Sequence, residues 1–342
     1  MNLFDIVKGA SSHGRSELER IDYLDGWRGV AILLVLLSHF FNVVEVDLGR
    51  MGVDVFFVLS GMLMSNILFI KRTPLSTFYK RRISRILPVF IVFLSLISLM
   101  SLVFNLSSEH FNYFYNVFFL RSYYPVEPGV LNSGLPLGHL WSLNVEEHIY
   151  VLLSLITLIS FCKNRICLIL LALGGGSIFL QVLYVKFPHL TSENYSFRTE
   201  VAASFLLISA GYFLLKERME QFVPSWLPII TFLIALICYS DFPLHWSAQW
   251  LIAPILLAFT VNHLNSLSPF LKRLLCVPAL RLAGLWSFSI YLWQQPLYYW
   301  GTKGGDAFYL AGPVLFVLSI ILGAMSFYLI ENPARRYLNN NW

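Results

Sequence analysis

Charged residues are scarce in this chain, and their scarcity excludes a soluble globular protein. Asp, Glu, Lys and Arg make up 13% of the 342 residues, whereas 57% are hydrophobic and the mean hydropathy is +0.67. Soluble domains carry about 25% charged residues. Because a soluble chain of this length cannot hide so much apolar surface from water, lipid must cover much of it.

Cysteine is scarce as well, and the common metal- and nucleotide-binding motifs are missing. The four cysteines have the spacing of neither a disulfide framework nor a zinc site. The chain contains no HExxH, Walker or GxGxxG pattern, no internal repeat and no low-complexity tract. We therefore expect no metal site. The net charge of +5 does not imply a nucleic-acid partner, because the positions of the basic residues explain it better.

A cleavable signal sequence is also missing from the start of the chain. Residues 1–25 are mostly polar and contain no apolar segment followed by a small-residue cleavage site. We expect them to form a polar cytoplasmic segment, with the first apolar run acting as its own uncleaved membrane signal. We further expect residues 1–342 to form a single transmembrane domain without an appended soluble domain.

Long apolar runs are abundant and predict about ten transmembrane helices. The runs lie at 29–46, 53–70, 84–104, 144–161, 166–186, 197–215, 226–240, 248–265, 284–300 and 308–330. The aromatic run 111–120 is too short to span, and we interpret it as interfacial or re-entrant. Of the 24 Lys and Arg residues, 19 lie on the side that holds both termini. The positive-inside rule therefore predicts an all-α, polytopic integral membrane protein with cytoplasmic N- and C-termini, and it places 105–143 and 187–196 outside.

Two ionisable residues share one face of the first predicted span. Arg28 and His39 are 11 residues apart, so a helix that turns about 100° per residue points both in the same direction, about 16 Å apart along its axis. A cation at the inner boundary and an imidazole near mid-membrane suit a ligand that enters from the cytoplasm with a charged end and a reactive end. The alternative is a snorkelling arginine and a core histidine bonded to a neighbouring helix.

The second span begins on the outer side with VDVFFVLSG, which contains the carboxylate of Asp54. Asp54 is interpreted either as the N-cap of this helix or as a group that supports catalysis. Ser60 and Gly61 suit close packing between helices, and we interpret both as structural.

The inner mouth of the third span carries a cluster of arginines in FYKRRISRILP. The cluster comprises Arg81, Arg82 and Arg85. The planar fork of a guanidinium matches the oxygens of a phosphate, which favours a phosphate-bearing ligand. Ordinary positive-inside charge and binding of anionic lipids explain such a cluster on their own.

The fourth span opens on the outer side with WSLNVEEHIY. Ser142, Glu146 and Tyr150 recur every four residues and share a stripe, whereas Glu147 is turned away by about 100°. A carboxylate on this stripe can orient or deprotonate a neighbouring imidazole or hydroxyl. The alternative is an interfacial acid that faces lipid headgroups.

Taken together, these segments resemble the transmembrane acyltransferase-3 family, the O-acyltransferases typified by O-antigen acetylases. The resemblance covers nearly the whole chain in family order: LDGWRG with Arg28 and His39, VDVFFVLSGMLM, FYKRRISRILP, WSLNVEEHIY, YLWQQP in the ninth span, and ENPARR. Two positions depart from the family pattern. Ile149 replaces a Phe, and Gln294 stands where the family usually has His. Either that histidine is not the essential base, or this member is altered in acceptor choice or impaired.

The resemblance implies an enzyme of the inner (cytoplasmic) membrane. It would move an acyl group, commonly acetyl, from cytoplasmic acyl-CoA to a hydroxyl of an extracytoplasmic or lipid-linked glycan such as O-antigen lipopolysaccharide. His39 would act as general base, or carry a transient acyl group, while Glu146 orients the imidazole and Asp54 and Ser142 assist. The CoA phosphates would bind the inner arginines, Arg28, Arg82 and Arg85 first and then Arg81.

The alternative function is a multi-span transporter or flippase of a lipid-linked sugar or small solute. Ten spans suit it, although the missing internal repeat counts against many carrier folds. Consumption of acyl-CoA discriminates between the two functions, because a carrier leaves the thioester intact. A degenerate, non-enzymatic member of the family is a third class. The acceptor glycan, the acyl chain length and the oligomeric state do not follow from the sequence.

Overall fold

The computed structural model of the protein describes residues 22–41, 43, 45–105, 111–124, 130, 134–159, 165–192, 194–240, 247–303 and 305–342. Helices dominate these residues, and the β structure among them is one isolated bridge between Val46 and Ser240. The predicted all-α class is therefore confirmed. Most of the predicted polar segment 1–25 lies outside the described residues, as do parts of the segment 105–143 and the end of the predicted run 144–161.

The described ranges contain fifteen α-helices. In chain order they are α1 Asp22–Phe40, α2 Leu48–Ser65, α3 Leu75–Phe104, α4 Phe111–Val117, α5 Leu140–Leu158, α6 Ile166–Lys186, α7 Thr199–Phe213, α8 Leu227–Ile237, α9 Ser247–Leu251, α10 Ala253–Asn262, α11 Pro269–Leu275, α12 Pro278–Leu285, α13 Ser287–Thr302, α14 Asp306–Ser326 and α15 Asn332–Asn341. A π-helical turn, Asn66–Ile70, extends α2, and a second, Phe327–Glu331, joins α14 to α15. A helix overlaps each of the ten predicted apolar runs.

Four helical stretches among the described residues are long and apolar enough to cross a membrane. They are Leu48–Ile70, Leu75–Phe104, Ile166–Lys186 and Ala311–Asn341. Helices α8 and α10 are apolar but shorter. Helices α1 and α5 are 19 residues long, but polar side chains such as Arg28 and Glu146 lower their hydropathy. The chain is therefore a helical membrane protein, and two of its less hydrophobic helices, α1 and α5, carry predicted site residues.

Glycines bring the site helices into backbone contact. A Cβ atom added at Gly284 of α12 would lie 1.8 Å from the carbonyl oxygen of Asp25 in α1, and one at Gly61 of α2 would lie 2.1 Å from that of Leu206 in α7. Such approaches are possible only without a side chain, as is common where membrane helices pack closely. The interpretation of Gly61 as a packing residue is thus confirmed.

Helix α5 begins inside the bundle. Leu135, Leu137 and His139, just before α5, are all buried, so the end of the segment 105–143 packs into the protein core. The buried guanidinium of Arg121 helps to hold this region, since it donates hydrogen bonds to the carbonyl oxygens of Tyr124 and Val130. The apolar stretch LPLGHL explains the insertion, because its leucines are shielded from water there. The first turns of α5 thus lie beside the part of α3 that carries the arginines.

Candidate active site

A cavity that is partly open to the outside, with about 890 Å³ of empty space including its open part, lies between α1, α2, α3, α5 and α13. The apolar part of its wall is mostly leucine and phenylalanine, which is typical of ligand pockets that place a few polar groups in an apolar lining. The polar wall of this arginine cavity consists of Arg28, Ser60, Arg82, Arg85, Ser142, Glu146, Tyr150, Ser287 and Tyr291.

Two of the arginines in the cavity wall have no ion-pair partner among the residues that the structure describes. Neither Arg28 nor Arg85 forms an ion pair or a side-chain hydrogen bond with any residue that the structure describes, and the Nε atom of Arg28 is buried without a partner. The two guanidinium groups repel each other, while Asp25, Glu146 and Glu331 attract them without forming an ion pair. Paired like charges facing an open cavity favour binding of an anion between them.

The third arginine in the wall is held by its neighbours. Nη2 of Arg82 lies 3.0 Å from Oε1 of Glu147 and 3.8 Å from Oε2 of Glu146. The guanidinium also stacks 3.6 Å above the ring of Tyr150. Arg82 is therefore largely neutralised by protein groups, and it anchors α3 to α5 at the edge of the cavity.

The fourth predicted phosphate ligand does not reach the cavity. The side chain of Arg81 is exposed and forms no part of the wall. Adjacent residues of a helix point about 100° apart, so α3 cannot direct both Arg81 and Arg82 into the same space. The structure thus separates Arg81 from Arg28, Arg82 and Arg85.

The stripe on α5 lies along the cavity wall, as its four-residue spacing predicts. Glu146 accepts hydrogen bonds from the hydroxyl of Ser60 at 2.8 Å and from that of Tyr150 at 2.9 Å. Ser142 lies 2.7 Å from the hydroxyl of Tyr291. Ser60, which the sequence indicated as a packing residue, is therefore a direct ligand of the central carboxylate.

His39 lies on the same helix as Arg28 but contacts a different set of residues. Its Nδ1 atom lies 2.6 Å from Oε1 of Gln294, and its ring stacks on Tyr298 with centroids 4.2 Å apart and planes at 12°. The sequence-based expectation that Glu146 orients this imidazole is not supported, because Glu146 instead bonds Ser60 and Tyr150. The residue in contact with His39 is Gln294, the position that departs from the family pattern.

Sequence reasoning missed a second histidine near His39. His139 is 4% exposed, its ring packs edge-on against Phe93 and Tyr291, and neither ring nitrogen has a hydrogen-bond partner among the described residues. It interacts electrostatically with His39. The hydroxyl of Tyr291 donates to the backbone carbonyl of His139 at 2.9 Å. The sequence feature that could have indicated His139 is an ionisable residue within the apolar stretch LPLGHL.

Asp54 lies outside the arginine cavity, and its part in catalysis stays a prediction. Both carboxylate oxygens accept from Nε of Arg50 at 3.1 Å, and Oδ2 also accepts from the hydroxyl of Tyr239 at 2.8 Å. Asp54 is fully buried. The alternative assignment of Asp54 as an N-cap is wrong. Helix α2 begins at Leu48, and its N-cap is Asp47, which accepts from the backbone N–H of Arg50.

Aromatic rings enclose the guanidinium that binds Asp54. Its central carbon lies 4.7 Å from the ring of Trp141 and 4.5 Å from that of Trp250. Cation–π contacts of this kind stabilise a desolvated guanidinium. We refer to Arg50, Asp54, Tyr239, Trp141 and Trp250 as the Arg50 cluster. It joins α2, α5, α9 and the end of α8, and it acts as a structural connection.

Comparison with protein families identifies the chain. A family model described as an acyltransferase domain matches residues 21–330. The chain belongs to this transmembrane acyltransferase-3 family. The match includes every residue assigned above to the arginine cavity, and it also includes His39 and His139. Within the described part of the chain, no group of three or more His, Cys, Asp or Glu side chains could hold a metal ion.

Curated relatives within the acyltransferase-3 family are O-acetyltransferases. The chain is 25% identical over 350 residues to the peptidoglycan O-acetyltransferase OatA of Listeria monocytogenes, covering 92% of this chain and 55% of the relative. It is also 25% identical over 350 residues to the O-acetyltransferase OatA of Staphylococcus aureus, covering 92% and 57%. The chain thus spans a little over half the length of these relatives. No solved structure matches it.

Proposed function

We propose that this protein is a membrane O-acyltransferase that moves an acetyl group from acetyl-CoA to a hydroxyl of a cell-surface glycan. One observation carries the proposal: two guanidinium groups without an ion-pair partner among the described residues, Arg28 and Arg85, face a cavity beside the helix that also carries the part-buried imidazole of His39. Family membership and the O-acetyltransferase relatives support the reaction class.

The arginine cavity is the proposed site for the donor. Coenzyme A carries several phosphate charges and cannot cross a bilayer cheaply, so its phosphates must stop at a cationic site on the side where it is made. Arg28 and Arg85 suit this role, because neither forms an ion pair with any residue that the structure describes. The rise of about 16 Å along α1 from Arg28 to His39 leaves room for the pantetheine arm. Under this proposal the protein has about ten spans, lies in the cytoplasmic membrane and has both termini in the cytoplasm.

His39 is the proposed general base. The hydroxyl oxygen of the acceptor attacks the thioester carbonyl carbon while its proton passes to the unprotonated ring nitrogen of His39. The C–S bond then breaks, the new ester leaves on the acceptor, and the proton on the imidazole passes to the CoA sulfur, releasing the free thiol. An acyl group held transiently on the same nitrogen is the covalent variant of this route.

The acceptor is proposed from the relatives alone. One of them is a peptidoglycan O-acetyltransferase, and another is an O-acetyltransferase without a stated acceptor in its name. We therefore propose a cell-wall or other surface polysaccharide, or its lipid-linked precursor. Comparing the surface glycans of a deletion strain with those of its parent by mass spectrometry tests this part: the deletion strain is expected to lack the mass of the acetyl substituent.

Release of free thiol from acetyl-CoA tests the reaction directly. Purified protein in lipid nanodiscs is incubated with acetyl-CoA and glycan fragments, and the thiol is measured with a chromogenic disulfide. His39→Gln is expected to lower the rate by roughly 10²- to 10⁴-fold, the usual contribution of a general base. An unchanged rate in His39→Gln would overturn the role of His39, and an intact thioester with the native protein would favour a transporter.

A further inference from the structure

The amide of Gln294 has one orientation that satisfies its surroundings. Gln294 is fully buried. Its Nε2 atom lies 3.3 Å from the backbone carbonyl oxygen of Tyr291 and 3.3 Å from Oε1 of Gln295. A carbonyl oxygen can only accept a hydrogen bond, so the NH₂ group of Gln294 must face Tyr291. Reversing the amide would place its oxygen against the backbone carbonyl oxygen of Tyr291 and against Oε1 of Gln295, so that buried acceptors face one another without a donor between them.

This orientation determines which nitrogen of His39 carries the proton. The group of Gln294 that faces His39 is the carbonyl oxygen Oε1, 2.6 Å from Nδ1. Because an oxygen acceptor needs a donor, Nδ1 must carry the hydrogen. In the neutral ring Nε2 is then the atom with the free lone pair. No residue that the structure describes forms a hydrogen bond with Nε2 of His39, so this lone pair is available to a bound molecule.

The plane of the ring is also restrained. Tyr298 lies four residues after Gln294 on α13, and its ring stacks on that of His39. One helix therefore supplies both the acceptor for Nδ1 and the aromatic surface that holds the ring flat. Together these contacts leave His39 neither free to exchange its two nitrogens by flipping nor free to tilt.

We propose that Gln294 is a positioning residue that holds neutral His39 in the Nδ1–H tautomer, so that Nε2 is the atom that takes the proton from the acceptor hydroxyl. The inference rests on the proposed function of His39 as the base. It also gives a reason why glutamine serves where the family resemblance implies histidine. A glutamine amide keeps its acceptor at every pH, whereas a histidine there would become a donor once protonated and could no longer accept from Nδ1.

The tautomer can be measured without an activity assay. Nitrogen-15 NMR of protein labelled at histidine distinguishes a protonated ring nitrogen from an unprotonated one, and the resonances of His39 are identified by their loss in His39→Gln. At neutral pH we expect a protonated Nδ1 and an unprotonated Nε2. A protonated Nε2 in the neutral ring would overturn the proposal, whatever the enzyme's rate.

Kinetics of Gln294→Met test the consequence for catalysis. Methionine keeps the length of the side chain but removes the amide acceptor. We expect kcat to fall by roughly 10²- to 10⁴-fold, the range seen when a catalytic histidine loses the group that sets its tautomer or its role as base. KM for acetyl-CoA is expected to stay close to the native value, since Arg28 and Arg85 are untouched. Native kcat in a folded Gln294→Met protein would contradict the proposal.

Two further variants separate positioning from simple packing. Gln181→Met is the matched control, because Gln181 is also a buried glutamine in a membrane helix but has an Oε1 atom without a partner; its kcat should stay native. Gln294→His is the conservative variant and should recover activity at alkaline pH, with a steeper loss on the acid side than in the native protein. An unchanged acid limb or an inactive Gln294→His at all pH values would contradict the proposal.

The outcomes also distinguish the proposed function of the protein from the positioning role of Gln294. If the native protein leaves acetyl-CoA intact, the proposed function fails, although the NMR tautomer can still be read. If the native protein is active and His39→Gln is inactive, but Gln294→Met retains native kcat and an Nδ1–H ring, only the positioning role of Gln294 fails.

Discussion

The arginines of the bundle differ in whether a protein carboxylate pairs with their charge. Arg50 bonds both carboxylate oxygens of Asp54 and lies between two tryptophan rings. Arg28 and Arg85 face the arginine cavity without an ion pair among the described residues. A guanidinium removed from water is costly unless it is paired. The charge of Arg50 is therefore paired within the protein. Arg28 and Arg85 have no ion-pair partner among the described residues, and under the proposed function a bound anion supplies one.

This difference separates a structural role from a binding role for the same side chain. A paired, enclosed arginine contributes to the folded state, and loss of its partner leaves a buried charge. An unpaired arginine at a cavity contributes little to folding, and its loss removes a ligand contact. Stability and donor binding should therefore respond in opposite ways when the two groups are altered.

The largest effect is expected from Arg28→Gln combined with Arg85→Gln. Two charged hydrogen bonds contribute about 3–6 kcal/mol, so donor binding should weaken by roughly 10²- to 10⁴-fold. The thermal unfolding midpoint should stay the same or rise, because two mutually repelling charges are removed. Titration calorimetry with CoA measures the first quantity and differential scanning fluorimetry the second. Native affinity for CoA in the double variant would remove the basis of the proposed donor site.

Asp54→Ala should have the converse effect. Removing one partner of a buried ion pair destabilises a protein by about 3–5 kcal/mol, so the midpoint should fall clearly while the KM for acetyl-CoA of the protein that remains folded stays native. Arg50→Met combined with Asp54→Leu is the control, since replacing the whole pair with apolar side chains of similar size is often neutral. If the double variant is as unstable as Asp54→Ala, the loss does not come from the unpaired charge of Arg50.

Tyr239→Phe should have a smaller effect of the same kind. The substitution removes the hydroxyl that donates to Oδ2 of Asp54 at 2.8 Å and keeps the ring. A buried acceptor that loses one of its hydrogen bonds costs about 1–3 kcal/mol, and Arg50 still neutralises the charge. Unfolding midpoints measured beside those of Asp54→Ala should rank Tyr239→Phe as the milder variant; the reverse order would place the main support of Asp54 on Tyr239 rather than on Arg50.

The smallest effect is expected from Arg81→Gln. Arg81 belongs to the same sequence cluster as Arg82 and Arg85, but its side chain is exposed. Surface substitutions of this kind usually change stability by less than about 0.5 kcal/mol, and KM for acetyl-CoA should remain near the native value. A rise in KM as large as that of Arg85→Gln would show that the cluster binds the donor as a unit.

Much of the fold follows from local patterns. The apolar runs predicted a helical membrane protein, and a helix overlaps each run. Ser142, Glu146 and Tyr150 were predicted to share a face, and all three line the arginine cavity, because helical spacing is a property of neighbouring residues. The same local logic wrongly assigned an N-cap to Asp54 and did not separate Arg81 from Arg82 and Arg85. It cannot say which of several polar side chains in one helix faces the cavity and which faces another neighbour.

What the sequence determined by itself is the set of helices, the polar residues within them and the family motif order, because hydrophobicity and helical periodicity act over short stretches of chain. The tertiary structure alone decided the partners. His39 meets Gln294 across 255 positions, and Asp54 meets Tyr239 across 185. No local pattern encodes such pairs, since they depend on how helices pack. That packing separates the arginines that hold the bundle together from those left facing the cavity.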